Sequence, residues 1–261
     1  MLNGKYALIT GSTSGIGLAV ARALAGEGAH IVLNGFGDAK AIQKLRKDMA
    51  EEFGVKVAFS DADMSRADHI DLMFEQLAES SVPQIDILVN NVGIQHVAPI
   101  DAFPTEKWDA ILAINLSSSF HTMRHVILGM KKRGWGRIIN IASTHGLVAS
   151  VNKSAYVAAK HGIIGLTKVA ALELAETGVT CNAICPGFVR TALVEKQIEA
   201  RAKANNMTVE EAARDLLLEK QPTGRFVKPE DIGGMAVFLT GPHAAGVTGS
   251  VYTLDGGWTA Q

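Results

Sequence analysis

The 261-residue sequence has almost no net charge, few cysteines and no long hydrophobic run. A formal net charge of −1 provides no basic surface for nucleic acid, so no nucleic-acid partner is expected. No apolar stretch is long enough to cross a bilayer, and the first ten residues begin a strand pattern instead of the apolar core of a secretory signal. We therefore expect a cytoplasmic protein with no membrane partner.

The two cysteines, Cys181 and Cys185, lie four residues apart in a strand-like run. On a strand this spacing separates them by more than about 10 Å, which is too far for a disulfide. The sequence predicts buried free thiols, and these fit a reducing cytoplasm.

Segments rich in proline or in glycine and serine are also absent, and no internal repeat is present. A chain of this length forms either one large α/β domain or two small ones. Because nothing resembles a linker, we expect a single domain over residues 1–261.

Short apolar runs alternate with longer helical patterns along the chain. Continuous Val/Ile/Leu strands separated by helices predict an α/β fold in which helices cover both faces of a parallel sheet. This is the doubly wound, Rossmann-type arrangement, here with about seven strands. The predicted strands are 6–10, 30–33, 55–60, 85–89, 136–141, 179–184 and 250–254. The predicted helices are 15–27, 39–53, 66–80, 106–132, 154–176 and 229–240.

Two segments differ from an ordinary amphipathic helix. Residues 154–176 are apolar almost all round and need burial on two sides, of which one fits the sheet and the other a second subunit. Residues 191–221 form a charged, helical insertion in which Thr208 and Glu211 predict a capping box. An insertion after the carboxyl end of a strand lies over the ligand crevice, so we expect a mobile lid.

Gly11, Gly15 and Gly17 follow the first predicted strand and open the first predicted helix. Glycine lets the backbone turn tightly and approach a pyrophosphate, which a helix N-terminus also favours. The spacing Gly-x-x-x-Gly-x-Gly differs by one residue from the commonest dinucleotide fingerprint. The strand–loop–helix context nevertheless predicts a dinucleotide site.

The charges near this loop favour NAD over NADP. Ser14 occupies the position where a basic residue would meet a 2′-phosphate, and no guanidinium is expected near the second strand end, residues 34–38. Two features leave NADP open: Asn34 replaces the usual acidic ribose clamp, and Lys40 is not far away.

Tyr156 and Lys160 are four residues apart in an Ala-rich run, so on a helix they share a face. Lowering the pKa of a tyrosine from about 10 to about 7 takes roughly 4 kcal/mol, and one ammonium at about 4 Å supplies an interaction of about that size at an effective dielectric near 20. The positive nicotinamide of NAD⁺ would add to it, so Lys160 and NAD⁺ together are sufficient in principle. Ser143 ends an apolar run that precedes this helix. His145 and Lys153 add donors that suit an anionic substrate, so the segment predicts both a general base and a substrate charge.

His121 and His125 share a helix face at the spacing of metal ligands. The glutamate that zinc proteases place between two such histidines is missing, so no metal site is expected.

Together these motifs resemble the short-chain dehydrogenase/reductase family, over essentially the whole chain. The resemblance includes the Gly11–Gly17 loop and the stretch Asn-Asn-Val-Gly at 90–93, where the family usually has alanine instead of Val92. It implies hydride transfer with a catalytic tetrad of Asn115, Ser143, Tyr156 and Lys160, in which Tyr156 is the general base. It implies NAD contacts from Gly11, Thr13, Gly15, Ile16, Gly17, Phe36, Asp63, Met64, Asn91, Gly93, Tyr156, Lys160, Pro186, Gly187, Val189 and Thr191.

Stretches such as 93–96, 142–148, 194–197 and 255–258 resemble the bacterial members of this family that oxidise D-3-hydroxybutyrate. This resemblance implies reversible, NAD-dependent oxidation of D-(R)-3-hydroxybutyrate to acetoacetate by a homotetramer. The implied substrate contacts are Gln95, His145, Lys153, Phe188, Gln197 and Trp258. Phe188 departs from the tryptophan usual there, which suggests extra room for a longer 3-hydroxy acid. Two alternatives stay open: a 3-oxoacyl thioester reductase using NADPH, and a nucleotide-sensing scaffold without catalysis.

Overall fold

A computed structural model describes residues 1–80 and 82–260 of the chain. Within them seven parallel strands form one sheet: β1 (Tyr6–Ile9), β2 (His30–Asn34), β3 (Val57–Ser60), β4 (Ile87–Asn90), β5 (Gly136–Ile141), β6 (Val179–Pro186) and β7 (Val251–Leu254). Their order across the sheet is β3-β2-β1-β4-β5-β6-β7. The direction of winding reverses between β1 and β4, and this reversal opens a crevice at the carboxyl ends of the strands.

The helices in the described residues lie between these strands: α1 (Gly15–Gly26), α2 (Ala39–Phe53), α3 (Ala67–Glu79), α4 (Thr105–Leu112), α5 (Ser118–Arg133), α6 (Ser154–Glu173), α7 (Ala192–Asn205), α8 (Val209–Lys220) and α9 (Pro229–Thr240). This arrangement confirms the predicted doubly wound α/β fold.

The central strands are apolar throughout because helices cover both faces of the sheet. In β1, Ala7 and Ile9 face a core cluster that includes residues of α1 and α9. Tyr6 and Leu8 face a second cluster with residues of α3, α5 and α6. The period-two alternation of the strand thus divides its side chains between two cores.

The prediction of one helix over 106–132 was wrong. A π-helical turn, Ala113–Ser117, separates α4 from α5. Asn115 in this turn donates from Nδ2 to the Ile94 carbonyl and accepts the Ile94 amide at Oδ1, both at 2.9 Å. These bonds hold the turn against the segment after β4, and π-helical turns of this kind are frequent at functional sites.

The insertion 191–221 forms α7 and α8, joined through Asn206 in a left-handed conformation. The predicted capping box at the start of α8 is confirmed: Thr208 Oγ1 accepts the Glu211 amide at 3.2 Å, and Glu211 Oε2 accepts the Thr208 amide at 2.9 Å. The apolar sides of both helices pack with Phe188 and Trp258 in a small separate core.

Cys181 and Cys185 are both free and buried, as predicted. Across residues 1–80 and 82–260, every helix falls short of the length and hydropathy that a bilayer span requires.

Candidate active site

A cleft of about 550 Å³, called here the main cleft, opens where the strand order reverses. Most of the cofactor and catalytic residues predicted from the sequence line it. They are Gly11, Gly15, Ile16, Asn91, Gly93, Ser143, Tyr156, Lys160, Pro186, Gly187, Val189 and Thr191.

The glycine loop forms one end of the main cleft. Gly11 and Gly15 have φ angles of +61° and +56°, a region in which glycine is favoured. A Cβ on Gly17 would lie 2.4 Å from the Gly11 carbonyl oxygen and 2.5 Å from Asn91 Nδ2, so Gly17 allows α1 to pack directly against the loop. The first turn of α1 carries no acidic residue, and its amide groups suit a pyrophosphate.

A second cavity of about 340 Å³ lies beyond the loop and is called here the Phe36 cavity. Phe36 lines it, and Thr13 donates from Oγ1 to the Phe36 carbonyl at 3.1 Å, so Thr13 supports this wall. Asp63 accepts from the amide and the hydroxyl of Ser65, and these bonds lower the pKa of its carboxyl. Met64 is buried in the core and lines neither space.

The structure corrects two expectations about the ribose end. Asn34 is not available as a clamp, because its side chain accepts the Gly11 amide at 3.3 Å and donates to the Ser60 and Ala62 carbonyls. A guanidinium is present after all, since Arg46 of α2 lines the Phe36 cavity together with Asp61. One positive and one negative group therefore line the Phe36 cavity.

Tyr156 and Lys160 project from the first two turns of α6, on one face as predicted. Lys160 Nζ donates to the Ile141 carbonyl at 2.8 Å and lies 5.7 Å from the centroid of the Tyr156 ring. Ser143 follows β5, and its hydroxyl hydrogen-bonds to Tyr156. The end of one strand and the start of one helix thus bring the three groups together.

On balance, the protein's own groups raise the pKa of Tyr156 and do not lower it. Desolvation is the largest influence on Tyr156 and raises its pKa, although the residue is partly exposed. The hydrogen bond with Ser143 lowers the pKa by a smaller amount. Burial also lowers the pKa of Lys160 to about 8. The Lys160 ammonium is directed at a carbonyl, so its effect on the phenol is weaker than the sequence argument assumed.

Asn115 does not line the main cleft. It is 2 % exposed, and both ends of its side chain bind the Ile94 backbone, next to Gly93 on the cleft wall. The structure therefore places Asn115 behind the wall, where it fixes the segment that follows β4.

A third cavity of about 210 Å³, called here the His145 cavity, contains five of the predicted substrate residues: His145, Lys153, Phe188, Gln197 and Trp258. His145 connects it to the catalytic group, because its ring centroid lies 6.0 Å from that of Tyr156 and 5.2 Å from that of Trp258. Phe188 packs on Trp258 at 4.9 Å. Apolar rings thus form one wall of a small polar cavity.

Several donors in or near the His145 cavity have no partner among the described residues. His145 Nε2 and Gln95 Nε2 are buried and make no hydrogen bond, although Gln95 does not line the cavity. The Lys153 ammonium makes no ion pair within residues 1–80 and 82–260. Burial, followed by the Lys153 charge, lowers the pKa of His145 to about 4, so its imidazole is neutral near pH 7. Gln95 Nε2, and His145 Nε2 in the tautomer that carries its proton there, are unpaired buried donors near a cation and suit a carboxylate.

Three charged residues of the His145 cavity were not predicted from the sequence: Arg201 of α7, and Glu219 and Lys220 of α8. Val92, Arg190 and Val194 were likewise not predicted on the wall of the main cleft, whereas Ser14 of the glycine loop lines it. The charged composition of the insertion was visible in the sequence. Which of its charges faces the cavity depends on how α7 and α8 pack.

Of the two histidines at metal-ligand spacing, His125 is held by an acidic and an aromatic side chain. His125 Nε2 lies 2.6 Å from Asp71 Oδ1, and the His125 ring stacks on Phe74. The described part of the chain contains no group of three or more side chains able to hold a metal ion.

Comparison with known proteins agrees with this geometry. The profile of the family described as "Enoyl-(Acyl carrier protein) reductase" matches residues 11–259. The chain is 59% identical to the D-beta-hydroxybutyrate dehydrogenase of Cupriavidus necator over 261 residues, which cover all of both chains. It is 54% identical to the Rhizobium meliloti protein of the same name, over 98% of this chain and 99% of that protein.

A solved structure shares the whole fold. The L-sorbose reductase of Gluconobacter frateurii, complexed with NADPH and L-sorbose, superimposes with a TM-score of 0.93 at 31% identity, covering 100% of this chain and 98% of that one. Sequence, fold and the arrangement of Ser143, Tyr156 and Lys160 agree with one another. The chain therefore belongs to the short-chain dehydrogenase/reductase family of nucleotide-dependent oxidoreductases.

Proposed function

We propose that this enzyme oxidises D-(R)-3-hydroxybutyrate to acetoacetate, reversibly, with NAD. The observation that carries the proposal is the His145 cavity, which contains the Lys153 ammonium and the His145 ring. Among the described residues, Lys153 has no ion-pair partner and His145 Nε2 makes no hydrogen bond, and the His145 ring adjoins Tyr156. The two relatives named D-beta-hydroxybutyrate dehydrogenase, at 59% and 54% identity, support the same substrate.

The substrate carboxylate binds in the His145 cavity. Lys153 supplies the charge, and His145 and Gln197 supply neutral contacts from the cavity wall. Gln95 contributes its unpaired amide nitrogen from the neighbouring segment. A volume of about 210 Å³ suits a short acid better than a long acyl chain. A molecule without the carboxylate would leave these groups unpaired, and sites of this kind reject such analogues by about 10⁴-fold.

The hydroxyl of the bound acid lies at Ser143 and Tyr156. Ser143 donates a hydrogen bond to the substrate oxygen, and Tyr156, as phenolate, takes the hydroxyl proton. When bound, NAD⁺ accepts the hydride and adds a positive charge near Tyr156. Lys160 adds its own charge on the same helix face, and together the two charges oppose the desolvation that raises the pKa of the phenol.

The cofactor fits the main cleft and the Phe36 cavity. The loop from Gly11 to Gly17 cradles the pyrophosphate, and Pro186, Gly187, Val189 and Thr191 line the nicotinamide end. We assign NAD and not NADP because Asp61 in the Phe36 cavity would repel a 2′-phosphate. Arg46 in the same cavity is the group that would favour NADP, so substituting Asp61 by Asn should increase the use of NADP⁺.

We further propose one catalytic domain in which α7 and α8 form a lid over the site. The lid supplies Gln197 to the His145 cavity and packs on Phe188 and Trp258. Opening of these two helices would admit substrate, and closing them would exclude water from Tyr156.

We also propose a homotetramer in the cytoplasm. Large apolar side chains are exposed on α5 and α6, and a second copy of the chain would cover them. They are Phe120, Leu128, Val169 and Leu172. Light scattering on the purified protein tests the mass, and a monomer would contradict this assignment.

The buried free thiols are compatible with a reducing compartment.

Spectrophotometric measurement of NADH formation tests the activity. Each 3-hydroxybutyrate enantiomer is compared with 2-butanol, and the series is repeated with NADP⁺. We expect turnover of the D-(R) enantiomer with NAD⁺ and poor activity on 2-butanol. Equal kcat/KM for 2-butanol would contradict the carboxylate site.

Two other functions make different predictions. A 3-oxoacyl thioester reductase would be favoured by Arg46 in the Phe36 cavity, and the family that matches this chain is described as a reductase of another acyl-carrier-protein thioester. Faster NADPH oxidation with a 3-oxoacyl thioester than NADH oxidation with acetoacetate would favour it. A nucleotide-sensing scaffold would bind the dinucleotide and turn over neither substrate.

A further inference from the structure

The wall of the His145 cavity contains a charge network that connects the two lid helices. Arg201 of α7 donates from Nε to Asp215 at 2.6 Å and from Nη1 to Glu219 at 2.8 Å. Glu219 also lies 3.5 Å from the ammonium of Lys220. Arg201, Glu219 and Lys220 line the cavity, whereas Asp215 does not.

The cations of the cavity differ in their partners. Arg201 is held between two carboxylates, and Lys220 is paired with Glu219. Lys153 makes no ion pair with any residue in the described part of the chain. Among the described residues, Glu219 is the one carboxylate on the cavity wall. It pairs with Arg201 and Lys220 and makes no ion pair with Lys153.

We propose that Glu219 is a positioning residue for carboxylate binding: it occupies Arg201 and Lys220 on the cavity wall and so leaves Lys153 as the cation that receives the substrate. The inference rests on the function proposed above and extends it to the lid. Glu219 acts through Lys153 and has no role in hydride or proton transfer.

The charges around Lys153 affect its pKa, so removal of the Glu219 charge should change the pH dependence of carboxylate binding. Lys153 is faced by the neutral His145, by Arg201 from α7, and by Glu219 and Lys220 from α8. Burial lowers the pKa of Lys153, Glu219 opposes this effect, and Lys220 adds to it. Without the Glu219 charge, Lys153 should lose its proton, and with it the affinity for carboxylates, at a lower pH.

The test measures the inhibition constant of butyrate against 3-hydroxybutyrate as a function of pH. Butyrate has the carboxylate but no hydroxyl, so its binding reports on Lys153 without the chemistry of Tyr156. We compare the wild-type enzyme with Glu219→Gln and with the matched variant Asp215→Asn. Each variant removes one ion pair of Arg201, but only Glu219 faces the cavity.

The butyrate inhibition constant should rise at alkaline pH, where Lys153 loses its proton. In Glu219→Gln this rise should occur at a pH about half a unit lower than in the wild-type enzyme. A larger shift is not expected because the Glu219 side chain is 46% exposed and water screens its charge. Above the rise, binding should weaken about threefold, and at lower pH it should change little. Asp215→Asn should leave the position of the rise unchanged.

Two results would overturn the inference. If the rise stays at the wild-type pH in Glu219→Gln, Glu219 does not act through Lys153. If both variants weaken binding by the same factor at every pH, the two acids only hold α7 and α8 together. Failure of the wild-type enzyme to oxidise 3-hydroxybutyrate would instead refute the proposed function, and this inference with it.

Discussion

Replacing Lys153 by methionine tests the carboxylate site directly. Methionine retains much of the length and apolar stem of lysine but has no charge. Lys153 lines the His145 cavity and makes no ion pair among the described residues, so the substitution breaks no salt bridge of the protein itself. The loss of activity should therefore come from the contact with the substrate.

The size of the loss follows from the surroundings of Lys153. A hydrogen bond to a charged group contributes about 1.5–3 kcal/mol, and truncating one partner of a buried charge pair costs about 2–5 kcal/mol. Lys153 is only partly buried, so we expect about 2–3 kcal/mol. The kcat/KM for 3-hydroxybutyrate should fall roughly 30- to 150-fold, since 1.4 kcal/mol corresponds to a factor of ten.

The assay compares two substrates and two variants. In Lys153→Met, kcat/KM should fall for 3-hydroxybutyrate and stay within about twofold for 2-butanol, which has no carboxylate to lose. Lys220→Met is the matched control, because Lys220 lines the same cavity but is already paired with Glu219 and is 40% exposed. Its loss should remain below about fivefold. Equal losses for the two substrates in Lys153→Met would refute carboxylate recognition by this residue.

Three further substitutions test the other roles. Tyr156→Phe should lower kcat by at least about 10²-fold while NADH binding, followed by fluorescence, persists; substantial turnover would exclude Tyr156 as the base. His145→Gln should reduce kcat/KM for 3-hydroxybutyrate about tenfold. The shape of the pH profile between about 5.5 and 8 should not change, because the pKa of His145 is lowered to about 4. If the variant loses an ionisation near pH 6.5, the imidazole of the wild-type enzyme is not neutral. Phe188→Trp should lower the ratio of kcat/KM for 3-hydroxyvalerate over 3-hydroxybutyrate by about fivefold or more, since Phe188 lines the cavity; an unchanged ratio would show that the methyl end lies elsewhere.

The sequence predicted the sheet and most helices because both depend on local patterns. Strand β5 (Gly136–Ile141) and helices α2 and α9 begin and end at the predicted residues. The break at Ala113–Ser117 was not predictable in this way. It depends on Asn115 meeting the backbone of Ile94, about twenty residues earlier in the chain, and no periodicity records such a contact.

The residues of the candidate site also divide into those that local patterns predict and those that depend on distant contacts. Tyr156 and Lys160 share a face by helix geometry alone, and the Gly11–Gly17 loop follows a strand, so both were visible in the sequence. Arg46 was missed because the packing of α2 against β3, where Arg46 Nε donates to the Val57 carbonyl, decides which face of the helix lines the Phe36 cavity. The sequence also predicted an activated Tyr156 from the spacing of one ammonium, whereas its pKa depends on desolvation by the whole site.

If α7 and α8 act as the proposed lid, carboxylate binding would also influence the chemical step. Gln197 of α7 lines the His145 cavity, and the apolar side of α7 and α8 packs on Phe188 and Trp258. Trp258 in turn contacts His145, whose ring adjoins Tyr156. Binding of a carboxylate should therefore favour the closed lid and exclude water from Tyr156. Because binding energy away from the reacting carbon then assists the reaction, a substrate that lacks the carboxylate should lose kcat as well as affinity.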